Sequence, residues 1–325
     1  MNKKFWLFTL LFLVAGTLAE AQQPKKVPRI GYLTASTPVA QLPGTEALRE
    51  GLRQLGYIEG QNIAIEFLYA EEKPDRLPIL AAELVRLKVD VIVTGGPTST
   101  RAAKEATSTI PIVMTNDPDP IGDGFIANLA RPGGNITGLS TLSVELSGKR
   151  LEILRGVVPK LSRVAILGTS TSPGNAQMSK EIEIAAKAFG VTFQDIDVLD
   201  SKDIETAFRA AVNGRAQSVL TLSSPILDSQ RAQIVEVAAK NRLPAMYHRS
   251  EYVEDGGLMF YGVNLLDLQR RAATYVDKIL KGTKPADLPV EQPKKFELII
   301  NLKAAKQIGL TIPPNVLARA DKVIK

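Results

Sequence analysis

Val89-Asp90-Val91-Ile92-Val93-Thr94-Gly95-Gly96-Pro97-Thr98-Ser99 reads as a buried strand that stops at two glycines and hands over to a helix. The run from Val89 to Val93 is short, β-branched and apolar, the pattern of a parallel strand covered on both faces. Gly96 and Pro97 fit the N-cap and first helical position, because proline has no N–H to lose there and its φ is already helical. The amides of Thr98, Ser99 and Thr100 then have no acceptor within the helix. Such a turn at the carboxyl end of a parallel strand is where open α/β sheets bind small polar or anionic ligands.

The same design recurs in Ser218-Val219-Leu220-Thr221-Leu222-Ser223-Ser224-Pro225, with Ser224 as N-cap and Pro225 as first helical residue. Three further pairs match in the same order at a nearly constant separation: Arg29–Leu33 with Arg163–Leu167, Leu55-Gly56 with Phe189-Gly190, and Ile110-Pro111 with Leu243-Pro244. Two similar βαβ lobes follow. The first runs from the strand Ile30–Leu33 through a helix capped at Thr45, a strand at Ile63–Phe67 and a helix opened by Asp75, to a strand at Ile110–Met114. This alternation calls for a parallel sheet with helices on both faces. Ile136–Leu139, Leu258–Tyr261 and Pro285–Pro293 read as three crossings between lobes. The expected fold class is therefore α/β, two doubly wound parallel-sheet lobes joined by a multi-strand hinge. Lobe 1 is expected over 28–138 plus 262–286 and lobe 2 over 139–261 plus 287–325. A cleft between hinged lobes suits ligand capture by closure.

Residues 1–21 read as a secretory signal peptide: Lys3 and Lys4, an apolar core from Phe5 to Ala15, then Ala19-Glu20-Ala21 as cleavage site. The chain contains no cysteine, which excludes a lipid-anchored cysteine, disulfides and cysteine metal sites. A free periplasmic protein is expected. The net charge of +6 is spread over helix faces without a basic run, so no nucleic-acid partner is expected. Catalytic signatures are missing too. Gly122-Asp123-Gly124-Phe125-Ile126-Ala127 spells a dinucleotide pattern but stands well beyond its strand, and the single histidine has neither a cysteine nor a Gly-x-Ser-x-Gly elbow to work with. The expectation is no enzyme and no cofactor.

The chain resembles the ABC-transporter substrate-binding family whose better-known members bind tryptophan and other aromatic amino acids, within the type 1 periplasmic binding protein fold. The resemblance is carried by Arg29–Leu33, by Gly51-Leu52-Arg53-Gln54-Leu55-Gly56-Tyr57-Ile58-Glu59-Gly60-Gln61-Asn62, and by Ala130-Arg131-Pro132-Gly133-Gly134-Asn135-Ile136-Thr137-Gly138. It continues in Asn241-Arg242-Leu243-Pro244 and from Leu288-Pro289-Val290-Glu291-Gln292-Pro293 through Phe296–Asn301. It implies a secreted receptor that delivers a small solute to an inner-membrane ABC permease driven by a cytoplasmic ATPase; our own expectation is a monomer whose ligand is an amino acid or related small carboxylate. The alternative is a ligand-sensing receptor coupled to a membrane signalling protein. An effector domain of a transcription regulator shares the fold, but the first strand follows the export signal too closely for a helix-turn-helix.

Ligand contacts are expected from the strand-exit loops. Thr94, Gly95, Gly96, Thr98 and Ser99 offer hydroxyls, amides and a helix dipole to a carboxylate, or serve only as a helix cap. Ser36 and Thr37 in lobe 1 and Ser170 and Thr171 in lobe 2 stand at equivalent exits, where turn chemistry is the competing role. Ser223 is the better ligand contact beside Ser224, whose hydroxyl goes to the cap. Asp117 is the expected partner for a ligand ammonium, or the head of an Asx turn before Pro118. His248 offers a hydrogen bond or is a loop histidine, and Tyr261 stacks on an aromatic ligand or packs in the hinge.

Overall fold

The computed structural model describes residues 27–325, so the proposed signal peptide lies outside the described residues. The first sheet has five parallel strands in the order β2-β1-β3-β4-β5. These are β1 (Arg29–Thr34), β2 (Ala64–Tyr69), β3 (Val91–Thr94), β4 (Ile112–Asp117) and β5 (Ile136–Ser140). The second sheet is built from β6 (Arg163–Gly168), β7 (Thr192–Asp197), β8 (Ser218–Thr221), β9 (Ala245–Tyr247), β10 (Met259–Gly262), β11 (Glu297–Asn301) and β12 (Lys322–Ile324). Its order is β12-β11-β10-β9-β8-β6-β7, and β10 against β11 is the antiparallel pair. The run β7-β6-β8-β9-β10 repeats the order of the first sheet strand for strand, so the repeated sequence features correspond to repeated topology.

Helices cover both faces because each parallel strand must return by a crossover. In the first lobe these are α1 (Pro38–Gln54), α2 (Leu77–Arg86) and α3 (Pro97–Ala106). In the second they are α4 (Ser143–Val157), α5 (Asn175–Phe189), α6 (Ile204–Asn213), α7 (Pro225–Ser229), α8 (Arg231–Lys240) and α9 (Glu251–Glu254). After β10 the chain re-enters the first lobe as α10 (Leu265–Leu280), whose Leu268, Ala272 and Val276 join Leu48 and Leu52 of α1 and Tyr32 of β1 in one core. Each such leucine taken from water stabilises the lobe by about 1.5–3 kcal/mol. Gly51 lets α1 and α10 approach: a Cβ there would overlap the Arg270 carbonyl oxygen. The chain ends in the second lobe with β11, α11 (Leu302–Gln307), α12 (Pro314–Leu317) and β12.

Several expectations are corrected. Ile136–Leu139 is not a crossing but most of β5, and Leu258–Tyr261 lies largely in β10; the chain crosses just after each, at 141–142 and 263–264. The last return comes after Glu291, because Leu288 and Val290 pack in first-lobe cores and Glu291 bridges Leu139. The first helix begins at Pro38 with Thr37 as its cap, and Thr45 sits inside it, donating to the Leu42 carbonyl at 3.0 Å. Gln41, Gly44, Thr45 and Ala47 are buried along it. That packing carries the helix through Pro43.

Candidate functional site

The carboxyl ends of β1, β3 and β4 face those of β6, β8 and β9 across a cleft. First-lobe walls come from Thr34 to Ser36, Gln41, Gly95 to Ser99, Asn116 and Gln269; second-lobe walls come from Ser172, Ser223, Asp228 and Arg249. Gly96 caps α3 with φ of 122°, a backbone state that side chains rarely adopt, which turns the chain sharply into Pro97. The Ser99 hydroxyl is buried on the cleft wall, 1% exposed, and has no partner. Beside it the amides of Thr98 and Ser99 belong to the first helical turn, where no intrahelical acceptor exists.

The first-lobe floor is held rigid by a hydrogen-bond network. Gln41 Nε2 and Gln269 Nε2 donate to the Tyr32 hydroxyl at 2.7 and 3.1 Å, and Gln269 Nε2 also reaches Thr115 Oγ1 at 3.0 Å. Burial pushes the Tyr32 phenol far up, so it stays neutral. Thr115 in turn donates to the Thr94 carbonyl, and Thr94 pairs its own hydroxyl with Thr100 at 2.7 Å. Thr94 therefore supports the loop rather than lining the cleft.

The second-lobe wall carries the charge. Asp228 accepts from His248 Nε2 at 2.7 Å and from Arg249 Nη1 at 3.0 Å, while Arg249 Nη2 donates to Glu251 at 2.6 Å. Burial would lift the Asp228 carboxyl, but Arg249 and His248 outweigh it and hold the group down at about 2. Arg249 is driven well above its ordinary value, burial notwithstanding, by Glu251 and Asp228. Its Nε has no partner. His248 Nδ1 lies 3.0 Å from Thr221 Oγ1, so both ring nitrogens are engaged. An inner chamber adjoins this wall, bounded by Asn116, Thr141, Ser143, Arg150, Ser223 and His248.

The structure thus brings Ser36, Gly95, Gly96, Thr98, Ser99 and Ser223 to the cleft, with His248 in its inner chamber. The others stand elsewhere. Thr37 spends its hydroxyl on the Ala40 amide at 3.2 Å. Asp117 is 1% exposed and outside the lining; its Oδ1 accepts from the Asp119 amide at 3.0 Å, the Asx turn of the competing role. Burial first, then Asp123, raises its carboxyl well above the usual range, which disfavours the charge an ammonium needs. Ser170 bonds Asp197 through its amide and hydroxyl at 2.8 and 2.6 Å on the far side of the β6 exit, and Ser172, not Ser170 or Thr171, reaches the cleft. The Tyr261 ring packs near Phe296 at 6.2 Å in the second-lobe core, away from the cleft.

Sequence reasoning missed Gln41, Asn116, Arg150, Asp228, Arg249 and Gln269. Asp228 had a signal: it is the acidic residue in the first turn of the helix that Pro225 opens. Arg249 follows His248 directly. Gln269 and Arg150 had none, because each is a helix-face residue whose neighbours come from remote chain.

Among the described residues no helix is long and apolar enough to cross a membrane. The profile of the family described as ABC transporter substrate binding protein matches residues 40–324. A tyrosine-binding protein of Clostridioides difficile is 25% identical over 291 residues, 88% of this chain and 82% of that protein. A conserved domain protein of Vibrio cholerae superposes with a TM-score of 0.87 at 28% identity, over 92% of this chain and 100% of the other. An ABC domain from Streptococcus pneumonia, solved in complex with L-Trp, superposes at 0.83 with 24% identity, over 91% of this chain and 100% of the other. With residues 40–324 matched, a span that runs through both lobes, the chain belongs to the ABC transporter substrate-binding protein family.

Proposed function

We propose that this protein is a periplasmic receptor that closes its lobes on an amino acid or a related small carboxylate and delivers it, as a monomer and without turnover, to an ABC permease driven by a cytoplasmic ATPase. The observation that carries the reading is the buried, unpartnered Ser99 hydroxyl beside the open first-turn amides of α3, facing Asp228 and Arg249 across the cleft. Unpaired donors at a helix start suit a carboxylate. Asp228, held ionised, suits a positive group. Relatives described as binding tyrosine and L-Trp support the amino-acid class.

The test is calorimetric titration of residues 22–325 with amino acids, their carboxamides and their decarboxylated amines. Amino acids are expected to bind and both truncated series to weaken. Ser99→Ala is expected to weaken binding several-fold with little loss of stability, since the hydroxyl has no partner to lose. Equal binding of an amino acid and its decarboxylated amine would refute the carboxylate role of the α3 start.

A further inference from the structure

Arg150 is 1% exposed, and among the described residues no carboxylate pairs with it. Its Nε donates to the Tyr261 carbonyl at 2.8 Å, while Nη1 is buried without a partner. Burial pulls the guanidinium down to about 10, which still leaves it cationic at neutral pH. A buried cation lacking an anion is costly, and the one carboxylate of its chamber, Asp228, bonds to His248 and Arg249 instead. A glycine leaves room for the Phe260 ring and the guanidinium together. A Cβ at Gly262, at the end of β10, would meet the Phe260 ring at 2.9 Å and Arg150 Nη2 at 3.2 Å. The inner chamber that Arg150 lines shares Asn116, Ser223, Asp228, Arg249 and Leu265 with the main cleft, so one ligand can span both.

We propose that the inner chamber is an anion subsite built on Arg150, and that the ligand carries two acidic groups, one seated there and one at the start of α3. The proposal rests on the carboxylate reading above and narrows it to a short acidic amino acid or dicarboxylate. No Phe, Tyr or Trp lines either chamber; hydroxyls, amides and charged groups share the walls with Val263, Leu265, Leu266 and prolines. A flat aromatic body would find no ring to stack on, whereas a short polar chain fits between two anion-receiving ends. Asp228 stands where the chambers meet. Each of its oxygens accepts one bond and retains a free lone pair, so an ammonium between the two acids is accommodated.

The test compares each acid with its neutral isostere: glutamate with glutamine, and glutarate with its monoamide, titrated calorimetrically into residues 22–325 and into Arg150→Met and Arg150→Lys. The native protein is expected to prefer each diacid by roughly tenfold or more, the worth of one charge-assisted pair. Arg150→Met should erase that preference and leave the ligand-free melting temperature unchanged or raised, because a hydrophobic chain replaces an unpaired charge. Arg150→Lys should keep part of it. Equal binding of diacid and isostere, or a preference that survives in Arg150→Met, overturns the subsite while leaving the amino-acid reading in place. Binding of glutarate but of no amino acid overturns that reading and upholds the subsite. Failure of both diacids refutes the two-acid ligand.

Discussion

Asp228→Asn is expected to cost about 2 kcal/mol of stability at neutral pH and to flatten the acid limb of the unfolding profile. In the native protein the carboxylate accepts from His248 at 2.7 Å and Arg249 at 3.0 Å, and it is held at about 2 against an ordinary 3.8. At about 1.4 kcal/mol per pH unit, that gap is worth about 2 kcal/mol. The folded value lies below the unfolded one, so the contribution is whole above pH 3.8 and is lost as pH falls through about 2. Asparagine still accepts one bond but leaves Arg249 balanced by Glu251 alone, and removing one member of a buried pair sets an upper limit of about 5 kcal/mol. Urea unfolding followed by circular dichroism, at pH 7 and in steps from pH 5 to pH 2, measures both effects. A variant within about 0.5 kcal/mol of the native protein at pH 7, or one that keeps the native acid limb, would refute the ion-pair account.

Gly51→Ala is expected to destabilise by about 1–3 kcal/mol, because its methyl group overlaps the Arg270 carbonyl and approaches the Ala273 side chain within 2.9 Å. Thermal unfolding would show this as a melting point lowered by a few degrees. Asp123 behaves oppositely to Asp228: burial lifts its carboxyl to about 6, Arg101 opposing and Asp119 adding, so the cost of its charge is absent below pH 3.8 and complete above about 6. Asp123→Asn should therefore melt higher than the native protein above pH 6 and alike below pH 3.8; a lower melting point at pH 7 would mean that the Arg101 contact at 3.7 Å dominates.

The scaffold was legible because its determinants are local. A β-branched run closed by Gly-Gly-Pro can do little but turn from strand into helix, and Ser224-Pro225 repeats the device with a side-chain cap. Crossings were harder to place. A strand ending at a hinge and the extended chain beyond it have the same composition, which is why β5 and β10 read as connections. In the site, residues whose role follows from position in a turn were found, among them Ser99 and Ser223. Those whose role follows from a partner far along the chain were not. Gln269 meets Tyr32 and Thr115 from α10, and Arg150 meets Tyr261 across 111 residues. Asp117 misled because an acid after a strand looks available, whereas the bulge between Met114 and Asp117 turns it inward.

The interleaving of the chain also makes each lobe depend on distant sequence. The first lobe lacks α10 until residue 280 is available, and with it the partner that covers Leu48 and Leu52. The second sheet lacks β11 and β12 until Ile324. Neither half completes its core from contiguous sequence: the first lobe waits for chain as far as Glu291 and the second sheet for Ile324. Contacts over such separations form slowly, so the closing of these two cores is where the long-range cost of folding this chain falls.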